Sequence, residues 1–521
     1  MPAALDLPDD IETLKRLVIE SQTALEEAQA RLLSRQLEIQ TLKLQIAQLK
    51  RMQFGRSSEQ LNEKIAQLEL ALEDLEATEA SAPAVAPVHE TVREKSVRRP
   101  LPGHLPRENI LHEPLPSEAC TCPACGGTMR VLGEDVAELL EYIPDRFRVI
   151  RHIRPKLACS RCEKIVQAPA PSRPIARGIA GPGMLAHVLV SKYADHLPLY
   201  RQSQIYARAG LELDRSTLSD WVGGAHGLLE PLIEALGRHV LSGTHLHADD
   251  TPYPVLAPGT GKTKMARIWT YVRDERPWAS STPAAVLFRY TPDRKGQHPR
   301  IHLAGFTGAL HADGYAGFDR LFESGRIHEI ACWAHARRKF FDLYEATQSP
   351  IAKEALDRIG ALYSIENEIR GKPPDERCAA RQARAGPLLA DLHTWLLATA
   401  RPLSRKSELA GAIRYALSRW EALCRYRDDG RAELDNNAAE RALRTIALGR
   451  KHHLFAGADT GGERAAGIYS LIGTAKLNDI HPEAYLRYVL ERIAEHPINR
   501  IDELLPWNVA ALLTPRVQQA A

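Results

Sequence analysis

Two short runs share a setting that can bind a divalent cation. HADD (247–250) and HADG (311–314) each place an aspartate at the end of an alternating, strand-like stretch. A lone strand-end aspartate is usually a turn former. Two in the same His-Ala-Asp context are harder to explain as turns alone. Carboxylates delivered by adjacent strand ends offer hard oxygen ligands to one point, which suits Mg2+ or Mn2+. Two such ions roughly 4 Å apart activate an attacking oxygen and stabilise a leaving one in phosphoryl transfer. A third carboxylate would come from a later helix. LDNNAAERALR (434–444) supplies the candidate, Glu440, with Arg444 one turn beyond. The same run is also a capping box, Asn437 with Glu440, and spacing alone favours the box.

Cysteines carry a second signal. Four of the eight fall in two pairs, Cys122-x2-Cys125 and Cys159-x2-Cys162, the spacing of two knuckles gripping one tetrahedral Zn2+. Gly126-Gly127 supplies a positive-φ turn after the first pair. The plain alternative is four reduced core cysteines, and Cys120 is a spare that could replace Cys122. The 33 residues between the pairs leave room for a small sheet and are basic, with Arg146, Arg148, Arg151, Arg154 and Lys156. Cys332 and His335 form a Cys-x2-His element with no evident second pair of ligands.

These residues need a scaffold, and the sequence suggests one. From 244 onward three alternating stretches read as hairpin-linked strands. A short helical run (296–305), a strand ending in HADG, and a strand running into a helix at 326–344 follow. That order belongs to a ribonuclease H-like α/β domain, here 241–465, with a helical insertion at about 341–434. Residues 466–521 read as a helical C-terminal domain, with Tyr485, Tyr488 and Val489 in its core. Residues 175–240 look all-helical. LELDRSTLSDWV resembles half of a helix-turn-helix, with Gly210 at the turn, Asp214 as cap and a helix ending in Trp221. Ordinary helical packing explains the pattern as well.

The N-terminal part is patterned differently. Ile11, Val18, Leu25, Leu32, Ile39 and Ile46 repeat every seven residues, so 1–78 read as a coiled coil, either an oligomerisation arm or a hairpin within one chain. An Ala/Pro-rich linker occupies 79–115. Its basic residues, Arg98 and Arg99 among them, read as an arm on phosphates or as solvated chain. Residues 116–168 enclose the cysteine pairs as a zinc-binding domain. A length of 521 residues implies several domains. The net charge of +3 singles out no polyanionic partner, so any DNA contact must come from local patches such as Arg148 and Arg151. No apolar run approaches 18 residues, and the acidic N-terminus lacks a signal core, so a cytoplasmic, nucleoid-associated protein away from membranes is expected.

Taken in order, FGRSSE (54–59), CPACGG, CSRC, HLPLYRQ (196–202), STLSDWV (216–222), HADDTPY, HADGYAGF, CWAHARRKF (332–340) and LDNNAAERALR resemble the large-subunit transposase of the bacterial insertion-sequence-66 family, nearly end to end. The resemblance implies a DDE triad on Asp249, Asp313 and Glu440, with two Mg2+ or Mn2+ ions and one structural Zn2+. It also implies strand cleavage and transfer on double-stranded DNA; the heptads of 1–78 point to a homo-oligomer, and small accessory proteins of the element are candidate partners. Cys332, His335 and Arg444 would support the site. One departure stands out: the family usually shows Asp-Glu-Thr where this chain has Asp249-Asp250-Thr251. Strand alternation puts Asp249 on the face of His245 and His247, leaving Asp250 as the fallback. A catalytically inactive DNA-binding remnant or repressor is the alternative, and the intact triad speaks against it.

Overall fold

The computed structural model describes residues 100–513, apart from 114–120, 144–145, 177, 258–261 and 405. The coiled coil expected over 1–78, Arg98, Arg99 and Cys120 lie outside the described residues, as does much of the linker.

A long antiparallel hairpin opens the described chain. β1 (Arg107–Leu111) runs parallel to β3 (Arg146–Cys159), which pairs antiparallel with β2 (Met129–Ile143) and β4 (Ile165–Gln167). One end of the hairpin carries the cysteines. The other end buries Leu140 and Val149 in the main hydrophobic core. It is pinned there by Glu141, whose carboxylate accepts the N–H of Met184 at 2.8 Å. Met184 lies in the first turn of α1 (Pro182–Tyr193), where a negative group meets the positive end of the helix. A Cβ on Gly181 or Gly183 would lie 2.6 or 2.2 Å from the Glu141 oxygens, so this dock requires both glycines.

α2 (Leu199–Arg208) and α3 (Arg215–Leu241) follow, and Gly210 makes the turn between them with a φ of +75°. The expected end of the helix at Trp221 is not found. Apolar residues continue at helical spacing through Leu229, Leu232, Leu236 and Val240, and the helix continues with them. Burying each large aliphatic side chain contributes about 1.5–3 kcal/mol, enough to override a local stop signal. Trp221 packs in the core, and Asp214 makes no side-chain cap bond.

Five strands then form one sheet: β5 (His245–Ala257), β6 (Lys262–Arg273), β7 (Ala285–Thr291), β8 (Gly308–Ala312) and β9 (Ile327–Ala331), in the order β7-β6-β5-β8-β9. The first three are antiparallel, and β8 and β9 run parallel to β5. α4 (Trp333–Thr347) leads from β9 into further helices between Pro350 and Cys424, whose core of Trp333, Phe340, Ile359, Leu389 and Ile413 is distinct from the main one. The chain returns in α5 (Asn437–Gly449), α6 (Asp459–Leu477) and α7 (Pro482–Arg492).

α6 covers the edge strand. Its Ser470 and Thr474 hydroxyls accept the N–H groups of Phe288 and Val286 at 2.8 and 3.1 Å, replacing a missing neighbouring strand. Close approach is possible because Gly473 and Gly462 face β7, where a Cβ would strike Val286 or Tyr290. Tyr485 and Val489 are buried in the main core, with Tyr488 packed against it, so these C-terminal helices share the core of the sheet. Among the described residues no helix is long and apolar enough to cross a membrane.

Candidate functional site

The β5–β8 register brings the two His-Ala-Asp triplets side by side. His245, Leu246 and His247 pair with Ala309, Leu310 and His311. Extended by two residues, the same offset sets Asp249 beside Asp313. Both strands are parallel, so both aspartates emerge at the same edge. Asp313 closes a turn, its Oδ1 accepting the N–H of Tyr315 at 3.0 Å across Gly314. Gly314 has a φ of +84°, and a Cβ there would meet the Arg419 guanidinium at 2.7 Å. Arg419 and Tyr415, from the inserted helices, brace this turn by hydrogen bonds to the carbonyls of Gly314 and Asp313.

Asp249 is the electrostatic centre. Loss of solvent pushes its carboxyl up to about 8, and the nearby charges of Asp313, Asp250 and Glu440 push the same way. The N–H of Asp250 opposes this from 2.7 Å. Repulsion of this kind on one carboxyl is what a divalent cation would relieve, since carboxylate oxygens are hard ligands. Asp250 faces elsewhere. Its side chain is 1% exposed and is held by Arg267 at 3.1 Å and Arg294 at 2.8 Å. It is committed to an ion-pair network.

Glu440 sits in the first turn of α5, and a clamp sets its position. On the sheet side, the rings of His247 and His311 stack with centroids 4.1 Å apart. His311 accepts the N–H of Glu433 on Nε2 at 2.9 Å and donates from Nδ1 to the Leu246 carbonyl at 3.1 Å, which fixes a neutral tautomer. Burial drives His311 well below the usual imidazole range and His247 down to about 4. His247 bonds Asn436 Oδ1 at 3.1 Å, and Asn436 Nδ2 donates to the Ala248 carbonyl at 2.9 Å. His245 reaches Asp429 at 2.7 Å. From the insertion, fully buried Arg381 binds Glu366 and donates to the carbonyls of Tyr426, Asp429 and Ala432. Residues 429–437 are thus gripped from both sides before α5 begins.

The capping box does not form. The Asn437 N–H is taken by Asp435 Oδ1 at 3.1 Å, and Asn437 Nδ2 bonds the other oxygen of Asp435. Glu440 turns instead toward α4, with Oε1 3.7 Å from His335 Nδ1 and Oε2 3.9 Å from Arg338. Arg444 is exposed one turn further along.

The cysteine site is built from two matching turns. Cys122 Sγ lies 3.5 Å from Cys162, and Cys125 Sγ lies 3.5 Å from Cys159. A tetrahedron of thiolates at zinc would separate sulfurs by about 3.8 Å. In each knuckle the first cysteine carbonyl accepts an N–H from four residues on, Gly126 or Glu163. Its own N–H bonds the carbonyl of the next residue, Gly127 or Lys164. Gly126 and Glu163 both take positive φ, +68° and +59°. A Cβ on Gly127 would lie 2.9 Å from Cys159 Sγ, so the cage requires glycine there. Backbone N–H bonds from Cys162 and Arg161 pull the Cys159 thiol down to about 6, toward the thiolate a metal needs.

Comparison with known proteins gives the family. Residues 177–464 match the model of the Transposase IS66 family. The chain belongs to the IS66 family of transposases. Residues 119–163 of this IS66 member match the zinc-finger binding domain of transposase IS66, and 470–507 match the IS66 C-terminal element. Residues 41–110 match a domain described as Transposase C of IS166 homeodomain. Two relatives, the uncharacterised proteins y4hP and y4jD of Sinorhizobium fredii, are 42% and 38% identical to it. The first alignment covers 90% of this chain and 89% of the relative, and the second covers 99% of each. The zinc-finger match and the four-cysteine cluster together support a structural zinc.

Other residues of the IS66 chain fare differently. Arg148 pairs with Glu108 at 2.5 Å and Arg151 with Glu138 at 3.4 Å, so the basic insert is largely neutralised within its own sheet. Arg154 and Lys156 share Asp135 in the same way. Sequence reasoning missed Asn436, Asp429 and Arg381. Nothing in their spacing marks them, because their partners lie in remote segments. Only the histidines of the two HAD triplets hinted that more than a turn was encoded.

Proposed function

We propose that Asp249, Asp313 and Glu440 form the metal-binding triad of a DNA strand-cleaving and strand-transferring transposase. The carrying observation is the parallel β5–β8 register, which brings Asp249 and Asp313 to one edge of the sheet, near enough with Glu440 that each adds to the charge opposing ionisation of Asp249. The strand order, three antiparallel then two parallel with Asp249 on the central strand, supports a ribonuclease H-like catalytic domain. When bound, two Mg2+ or Mn2+ ions would activate the attacking oxygen and neutralise charge on the leaving one.

The chain's own groups have separable roles. The aspartates present oxygens at adjacent strand ends, and Glu440 presents them from α5. The histidine and arginine clamp fixes the approach of α5. Arg338, 3.9 Å from Glu440, and the exposed Lys339, Arg441 and Arg444 of the same two helices are proposed to hold phosphates of the duplex. The reaction is hydrolysis at the element's end, followed by attack of the freed 3′-hydroxyl on target DNA. Double-stranded DNA and further copies of the chain are the proposed partners. In Mg2+, Asp313→Asn protein is expected to bind element-end duplex yet leave it uncut. Normal cutting and joining by that variant would remove Asp313 from the triad. Wild-type protein that binds the ends and never cuts would indicate a repressor instead.

A further inference from the structure

A second group of metal-ligating side chains lies apart from the four cysteines. Cys332 follows β9 as the residue capping the start of α4, His335 lies in the first turn of α4, and Glu440 lies in the first turn of α5. Cys332 Sγ, one His335 nitrogen and one Glu440 oxygen fall within 4.8 Å of one another. His335 Nδ1 and Glu440 Oε1 are both sealed from solvent, and neither has a hydrogen-bond partner. Their 3.7 Å separation is too long for a hydrogen bond. It is close to the spacing of two ligands on one ion: tetrahedral zinc with bond lengths near 2.0–2.3 Å separates N from O by about 3.3 Å and S from N by about 3.6 Å. Leaving two buried polar atoms facing each other unbonded is costly unless something bridges them.

We infer that Cys332, His335 and Glu440 hold a divalent transition-metal ion of the zinc class, distinct from both the four-cysteine zinc and the ions of the aspartates. The donor set argues for the metal class. One sulfur, one imidazole nitrogen and one carboxylate oxygen favour Zn2+ over Mg2+, which avoids thiolate and takes all-oxygen shells. Cys332 Sγ accepts the N–H of Asn436 at 3.2 Å, a contact that orients and stabilises a thiolate ligand. Asn436 also bonds the sheet at Ala248, so ligand and clamp are physically joined. The ion would tie the start of α4 to the start of α5 through Oε1 of Glu440, while Oε2 lies 3.9 Å from Arg338. Three protein ligands leave a fourth position open.

Elemental analysis of the full-length protein, purified without chelators, tests this. Two zinc ions per chain are expected in the wild type. One is expected in Cys332→Ser with His335→Asn, and one in Cys159→Ser with Cys162→Ser. A wild-type count of one overturns the site, and so does a count of two that persists in the first variant. Cobalt supplies a readout independent of that variant's folding. Co2+ added to protein with Cys122, Cys125, Cys159 and Cys162 all changed to Ser should give a single-thiolate charge-transfer band, and Glu440→Gln in that background should weaken its binding. Absence of the band overturns the assignment. Neither measurement involves DNA, so failure of the triad to cut and failure of this site to bind remain distinguishable.

Discussion

The four-cysteine set and the carboxylate set are built in opposite ways. Each zinc knuckle carries its geometry within six residues: a cysteine, its partner three on, a positive-φ residue, and two backbone bonds that repeat in both turns. The carboxylate centre has no local geometry of its own. Asp249 comes from a central strand, Asp313 from the turn after its parallel neighbour, and Glu440 from a helix reached only after a long insertion. Its geometry is maintained by buried groups other than the carboxylates: stacked histidines, Asn436, and an arginine reaching in from the insertion. A local site should be damaged only by changes near it. A convergent site should also be sensitive to changes in its clamp.

The largest effect is expected at the convergent site. Glu440→Gln or Asp313→Asn should lower strand transfer about 10^3-fold or more, since several kcal/mol of charge stabilisation is lost and about 1.4 kcal/mol is a factor of ten. Gel-based joining assays read this, and a loss under tenfold would detach the residue from the triad. Next come the neighbouring aspartates. Asp250→Asn breaks a buried pair with two arginines and should destabilise by about 3 kcal/mol. Asp249→Asn should leave metal-free protein as stable or more stable. Its folded pKa is raised, so the carboxylate form weakens the fold as pH rises from about 4 to about 8. Denaturant melts in EDTA at pH 8 compare them, and equal losses would mean Asp249 is a structural ion-pair partner too.

A smaller effect is expected at the clamp. Asn436→Ala leaves the Ala248 carbonyl and His247 without partners, costing about 2 kcal/mol. It should lower the joining rate while sparing affinity for element ends. Unchanged rate at reduced stability would make the clamp purely structural. The zinc knuckles provide the contrast: Cys159→Ser with Cys162→Ser should raise hydrogen exchange at the cysteine-bearing end of the hairpin and leave β5, β8 and β9 protected. The smallest expected effect concerns acid. His453 is held down to about 4 by burial, so the unfolded chain takes up its proton first, and stability falls as pH drops from about 6.5 toward 4. His453→Gln keeps a donor for the Lys192 carbonyl and should flatten that slope. An unaltered slope would assign the acid lability to other groups.

Much of this molecule could be read from the amino acids alone because its signals are short-range. Period-two alternation marked β5, β6 and β7, and paired Cys-x2-Cys spacing marked the zinc knuckles, since side-chain direction in a strand and the reach of a tight turn are set within a few bonds. The repeated His-Ala-Asp context singled out two aspartates, and the β5–β8 register now gives that repetition a physical meaning. Where local signals competed with packing, they failed. α3 ran past Trp221 because its apolar stripe continued, and Asn437 gave up its capping role to Asp435. Spacing could choose between Asp249 and Asp250 only by alternation. Tertiary structure showed why the faces differ: one is lined by carboxylates, the other by Arg267 and Arg294. It also decided where Glu440 lies, which arginines of the hairpin are neutralised, and that Cys332 and His335 find a third ligand in Glu440. Those outcomes depend on contacts between segments far apart in the chain, and no residue spacing encodes them.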